Sequence, residues 1–332
     1  MESPRTALVT GASGFVGNTL CELLVADGWS VRAVVRPTSQ RGFLRQLGCE
    51  LVTAPLARDG EAELAKALAP CAAVFHLAGV TKALDQRAFD AVNVEGARAL
   101  AAAARRAGFA GSFVLVSSLA AAGPAPRGGV RPNDAPARPV SAYGASKRRG
   151  EKAVLAVRLP GPICILRPGA IYGPREHEIH QVIKPAQQTG LALHTGPDLR
   201  VQMTHVEDVA RACIVAARLG AKAAGTWQVN DQAAYRVSEM MAIIGEALGR
   251  RLRFIRLPAA AGWGIATVID LASRLTGKPL SPFNLDKMRE ITSGDWVADS
   301  MPFRHATGWK PRWKLRDGMD QTIRWYRANG WL

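Results

Sequence analysis

Through the first half of the chain, short and almost unbroken apolar runs alternate with stretches of helical spacing. Thr6–Thr10 reads as a strand, a segment from about Gly17 to Ala26 as a helix, and Ser30–Arg36 as the next strand. Further strands are predicted at Glu50–Thr53, Ala73–Leu77, Ser112–Ser117 and Ile163–Arg167, with helices over Ala91–Ala107 and Tyr143–Val157 between some of them. A strand that is apolar at every position needs cover on both faces, so the pattern predicts an α/β fold built on a doubly wound parallel sheet. Between Leu119 and Ala142 the alternation stops and Pro124, Pro126, Gly128, Gly129, Pro132, Pro136 and Pro139 dominate, which marks a long loop of functional character. His205–Leu219 then reads as a helix and Thr226–Asn230 as a strand, and from about Val237 the chain is mostly helical, ending in the amphipathic Leu315–Ala328.

The first strand runs into Thr10-Gly11-Ala12-Ser13-Gly14-Phe15-Val16-Gly17 and then directly into a helix. Gly11 permits the tight turn, Gly14 a close approach of backbone to a pyrophosphate, and Gly17 close helix–strand packing; free amides at the helix start attract the anion. This predicts a Rossmann-type dinucleotide-binding domain over residues 1–174, to which the chain returns at about 203–232. A smaller, mostly helical substrate-binding lobe is expected over 175–332, with ligands in the cleft between the two. At the end of the second strand a carboxylate would accept bonds from a free ribose 2′-hydroxyl, whereas an arginine would meet a 2′-phosphate. Arg36 stands there with no Asp or Glu close by, so NADP(H) is the favoured cofactor over NAD(H), with Thr38 and Ser39 as further phosphate contacts.

Tyr143 and Lys147 lie four residues apart at the start of a predicted helix, so both project from one face. A free tyrosine has a pKa near 10 and is a poor base at neutral pH; a neighbouring ammonium and an oxidised nicotinamide both favour its phenolate. Tyr143 can then exchange a proton with a substrate oxygen while a hydride moves, and Ser118, at the end of the fifth strand, can hydrogen-bond the same oxygen.

These residues, together with His76-Leu77-Ala78-Gly79, Val92–Gly96, Arg167–Pro174 and His205–Asp208, give a chain that resembles the extended short-chain dehydrogenases/reductases over nearly its whole length. This is the epimerase/dehydratase group, and the pattern is most similar to its dihydroflavonol reductase and 3β-hydroxysteroid dehydrogenase members. The resemblance implies Ser118, Tyr143 and Lys147 as catalytic residues. It implies a cofactor held by Gly11, Ser13, Gly14, Phe15, Val16, Gly17, Arg36, Leu77, Ala78, Gly79, Tyr143, Lys147 and Pro168, with a backbone contact from Leu56 where the usual acidic residue is replaced by Pro55. Asn93 would be structural or water-binding, and homodimers are common in the family. Two departures narrow the chemistry. Leu119-Ala120 follows Ser118 where sugar dehydratases carry Asp-Glu, and Ala170 stands where many nucleotide-sugar epimerases carry asparagine. The leading expectation is therefore hydride transfer between NADP(H) and the carbonyl or secondary alcohol of a mid-sized, apolar small molecule. An epimerase with tightly bound cofactor is the alternative, and a non-catalytic cofactor-binding or assembly protein the second.

The net charge of +16 raises nucleic acid or an anionic membrane as partners. The arginines are dispersed without basic blocks interleaved with aromatics, so nucleic acid is not expected and a solvated surface is. Leu257–Leu275 carries few charges and spaces Ile265, Val268, Ile269 and Leu275 at helical intervals. Packing inside the lobe is the expected use of this segment, ahead of an apolar substrate site or membrane contact. Cys21, Cys49, Cys71, Cys164 and Cys213 show no paired spacing and read as buried free thiols; His177 and His180 lack further ligands nearby, so no metal is expected. The start of the chain shows no secretory pattern, and the cytoplasm is the expected compartment.

Overall fold

A computed structural model describes residues 5–231 and 233–332. β1 (Thr6–Thr10), β2 (Ser30–Val35), β3 (Glu50–Thr53), β4 (Cys71–His76), β5 (Ser112–Val116), β6 (Ile163–Pro168) and a seventh strand, Gly225–Val229, are all parallel. The order across the sheet is Gly225–Val229, β6, β5, β4, β1, β2, β3. The direction of winding reverses between β1 and β4, which opens a crevice at the carboxyl ends of these strands. The unbroken apolar runs are explained by cover on both faces: all five residues of β5 are buried. Along β1, Ala7 and Val9 join a core with helices Phe15–Ala26 and Val206–Leu219, while Leu8 faces a second core with Leu64, Leu100, Ala104 and Val154.

The C-terminal lobe closes around Tyr172, Ile183, Ile244, Leu315, Met319 and Tyr326, contributed by helices His177–Thr189, Val237–Leu248 and Leu315–Ala328 and by their connections. Strands Leu191–Thr195 and Arg253–Leu257 form a separate parallel pair. Phe303 and Trp309 join the core of the main sheet, and Trp309 Nε1 donates to the Asp208 carbonyl at 3.2 Å, so the end of the chain is keyed to the half that carries the seven-stranded sheet.

Several boundaries differ from those the pattern predicts. The first helix begins at Phe15, not near Gly17, because Gly14 serves as its N-cap. The helix expected over Ala91–Ala107 starts five residues earlier at Gln86, capped by the Asp85 carboxylate on Ala88 N–H, and runs through a π-helical turn at Ala91–Glu95. The 119–142 loop contains a short helix, Leu119–Ala122. Bridges from Ala125 to Asp295 and from Arg131 to Ala298 pin it to the C-terminal lobe. The expectation that Leu257–Leu275 packs within the lobe is corrected. Helix Ala259–Thr276 buries Gly262, Ala266 and Ser273, while Ile265, Val268, Leu271 and Leu275 are 46%, 69%, 59% and 81% exposed. Among the described residues, no helix is long and apolar enough to cross a membrane.

Candidate functional site

The glycine turn forms a cradle that side chains would fill. Gly11 has φ +69°, and a Cβ there would lie 2.7 Å from Ala78 N; a Cβ on Gly17 would lie 2.1 Å from the Gly11 carbonyl oxygen. Gly14 caps helix Phe15–Ala26 without any side-chain acceptor on its first-turn amides. Those amides and the positive end of the helix are available to an anion. Ser13, Phe15 and Val16 are half-buried around the turn, and half-buried Leu77 and Ala78 lead to exposed Gly79 at the carboxyl end of β4. Thr10 Oγ1 joins the two strand ends, lying 2.7 Å from His76 Nδ1 and accepting from Ala78 N–H at 3.4 Å. Burial, helped by the nearby Lys147 charge, pushes His76 down to about 3, so the imidazole is a neutral strut at physiological pH. The cradle fits a dinucleotide pyrophosphate.

Arg36 is exposed at the end of β2, where Ser39 Oγ accepts from its backbone N–H at 3.0 Å. A second arginine, which the pattern reading missed, lies on the same turn: Arg41 donates to the carbonyls of Arg36 and Pro37 at 3.0 and 3.1 Å. Leu56, half-buried, follows β3, and Pro168 is buried at the end of β6.

Helix Ala142–Ala156 places Tyr143 and Lys147 one turn apart beside the end of β5. Lys147 Nζ donates to the Val116 carbonyl at 2.8 Å and lies 3.7 Å from where a Cβ on Gly79 would stand. Burial lowers the Lys147 ammonium to about 8, against the opposing pull of Glu151. Burial likewise raises the Tyr143 phenol to about 12, opposite to the lowering expected from the sequence, and the nearby Ser118 hydroxyl only partly offsets it. Ser118 caps the short helix Leu119–Ala122, its Oγ accepting from Ala120 N–H at 3.1 Å. The structure thus brings Ser118, Tyr143, Lys147 and Gly79 to one place, with Arg36 at the far end of the crevice. A half-buried phenol near a serine hydroxyl and one helical turn from an ammonium can move a proton to or from a substrate oxygen.

The scaffold holding this group was largely invisible to pattern reading. Glu151, buried one turn after Lys147, receives Arg167 through both oxygens at 2.8 and 2.7 Å, Ser117 Oγ at 2.6 Å and Arg148 at 2.8 Å. These four donors and their charges hold its carboxyl below the ordinary range despite burial. Its i,i+4 spacing from Lys147 was the available signal. Asn93, within the π-helical turn, bonds both Val80 backbone groups and donates to Ser146 Oγ at 2.9 Å, which ties the strand β4 exit to helix Ala142–Ala156. From the C-terminal lobe, helix Leu285–Ser293 reaches back. Asp286 accepts from the backbone N–H groups of Ala142 (2.6 Å) and Tyr143 (3.1 Å), and Glu290 accepts from Ser141 Oγ at 2.8 Å. No local signal connects positions this far apart in sequence.

With this geometry in place, comparison with known proteins identifies the lineage. The NAD dependent epimerase/dehydratase family matches residues 7–230. Ceramide reductase of Caulobacter vibrioides is 38% identical, across 98% of this chain and 95% of that protein. A 3β-hydroxysteroid-dehydrogenase/decarboxylase (isoform 1) of Arabidopsis thaliana is 25% identical, across 97% of this chain and 80% of that protein. The crystal structure of gox2253 superposes with a TM-score of 0.81 at 26% identity, covering 98% of this chain and 99% of that one. This chain belongs to the NAD-dependent epimerase/dehydratase family and is an NAD(P)-dependent oxidoreductase of the extended short-chain dehydrogenase/reductase type.

Proposed function

We propose that this protein reduces a ketone on a long-chain lipid amide of the ceramide type, using NADPH. The reaction type rests on one observation: Ser118, Tyr143 and Lys147 converge at the end of β5 beside Gly79, with apolar Leu119-Ala120 in place of an eliminating Asp-Glu pair. The substrate class is supported by the ceramide reductase that is similar over the whole chain. Ceramide carries a secondary hydroxyl, and its ketone counterpart is a substrate on which a phenol-assisted reduction can act.

The bound cofactor would supply the hydride, held by the Gly11–Gly17 turn and the backbone of Leu77–Gly79. Ser118 and Tyr143 then donate hydrogen bonds to the ketone oxygen and fix the carbonyl. Tyr143 passes its phenolic proton to that oxygen as the carbonyl carbon becomes tetrahedral. The phenolate left behind is favoured by the Lys147 ammonium and regains a proton from solvent. A phenol pushed up to about 12 carries its proton at neutral pH, the state in which reduction starts.

NADPH is the preferred donor in this reading because Arg36 and Arg41 share the turn after β2, and residues 36–41 include no carboxylate. The same reading puts the enzyme in the cytoplasm, where NADPH is regenerated and its five free thiols stay reduced. The test is a cofactor comparison on a ketoceramide in detergent micelles, with Arg36→Ala/Arg41→Ala beside wild type. Wild type should prefer NADPH, and the double variant should lose about tenfold or more in kcat/KM for NADPH while NADH is little changed. Equal use of both cofactors by wild type would refute the NADPH assignment. Purified protein carrying stoichiometric NAD+ and consuming no cofactor would favour an epimerase instead.

A further inference from the structure

Helix Ala259–Thr276 turns its apolar side outward. At about 3.6 residues per turn, Ile265, Val268, Leu271 and Leu275 fall within roughly a third of its circumference, while the buried Gly262, Ala266 and Ser273 lie on the other side. Leu193, 63% exposed on strand Leu191–Thr195, and Leu280, 55% exposed just after the helix, are further large apolar side chains in the same part of the lobe left open to solvent. Scattered exposed apolar side chains need no explanation, but four on one stripe of one helix do. Basic residues flank the stripe at both ends. Arg251, Arg253 and Arg256 precede the helix and Arg274 and Lys278 close it, all exposed, and Asp270 is the only carboxylate between residues 247 and 285.

The helix is also tied to the catalytic centre. A Cβ on Gly262 would lie 2.8 Å from Met288 Cε, and Met288 belongs to helix Leu285–Ser293. That second helix holds Ala142 and Tyr143 through Asp286. One helix therefore separates the apolar stripe from the proton donor.

We propose that helix Ala259–Thr276 is an interfacial docking element that seats the enzyme on an anionic lipid bilayer and presents the substrate cleft to it. Apolar side chains between basic ends match the acyl boundary and the anionic headgroups of such a surface. A second copy of the chain is the poorer fit, because both ends of the stripe are basic and a two-fold pairing through this face would set basic ends against basic ends. The proposal takes its purpose from the lipid-ketone reading, but its readout is binding alone. A failed ketoceramide assay would leave it standing, and failed docking would leave the reductase reading standing.

The experiment is density-gradient flotation of the full chain with vesicles of phosphatidylcholine, or of equal parts phosphatidylcholine and phosphatidylglycerol. Wild type should float with the anionic vesicles, less so at high salt, and scarcely with the neutral ones. Val268→Glu/Leu271→Glu/Leu275→Glu should cut the vesicle-bound fraction by about tenfold or more. Its thermal unfolding and NADPH-induced stabilisation should match wild type, since these side chains contact solvent. The idea is overturned if wild type stays in the bottom fraction or the triple variant floats equally well. It is also overturned if light scattering shows a wild-type dimer that the variant splits while wild type fails to bind vesicles.

Discussion

Tyr143 and Lys147 are shifted in opposite senses by the same cause. Burial disfavours both charged forms, raising the phenol to about 12 and lowering the ammonium to about 8. Reduction requires a protonated phenol and a charged lysine. The first condition holds across the working range; the second is met below about pH 8 and lost as pH rises through that value. With NADPH saturating, kcat/KM for the ketone should be level around neutrality and fall about tenfold per pH unit above about 8. A profile level up to the ordinary lysine range would contradict a lowered Lys147 whose charge is required. The relation of Tyr143 to Lys147 is legible in the sequence because helical spacing fixes it locally, whereas Ser118, the cap of Leu119–Ala122, is brought to them only by the assembled fold. Arg41 was not legible either, since its bonds to the Arg36 and Pro37 carbonyls depend on how the turn folds back.

Among elements, helix Ala142–Ala156 depends on its neighbours for its position. Its N-terminal amides would be unsatisfied at Ala142 and Tyr143 without Asp286, which belongs to a helix on the opposite lobe. Asp286→Ala should cost about 1–2 kcal/mol, lowering the thermal midpoint by a few degrees, and should reduce kcat more than it changes KM for NADPH. Asp286→Asn keeps an acceptor oxygen and should restore part of both losses. If Asp286→Ala left kcat unchanged while lowering stability, the contact would be structural only. This link joins the lobe to the chemistry, and hydrophobic periodicity contains no trace of it: it is a single hydrogen-bonding carboxylate over a large sequence separation. The strands and most helices were legible because a sheet covered on both faces imposes long apolar runs. The start of the helix at Gln86 was missed because its cap, Asp85, sits within a polar stretch with no period to read.

On the scale of the whole molecule, the chain wraps a dinucleotide cradle, a proton-transfer group and a lobe with an outward apolar helix around one crevice. Sequence periodicity showed that Leu257–Leu275 has an apolar stripe; which side the lobe covers is a property of the assembled fold, and packing was the wrong expectation. The net charge of +16 looked like dispersed surface charge, and much of it is, yet its share around residues 251–278 borders that stripe without compensating acids other than Asp270. Substrate choice remained illegible for the same reason. In the proposed reading it falls to surfaces assembled from the 119–142 loop and the C-terminal lobe, which bridges at Ala125 and Arg131 bring together.

In the proposed reaction Tyr143 delivers a proton to a lipid ketone while NADPH is consumed. The most direct measurement follows NADPH absorbance and ceramide formation together, with wild type and Tyr143→Phe at matched concentrations of ketoceramide. Wild type should oxidise one NADPH per ceramide formed, and Tyr143→Phe should lose about a hundredfold or more in kcat while binding NADPH as before. Ceramide formation by Tyr143→Phe at the wild-type rate, or turnover by wild type without net NADPH loss, would contradict the account.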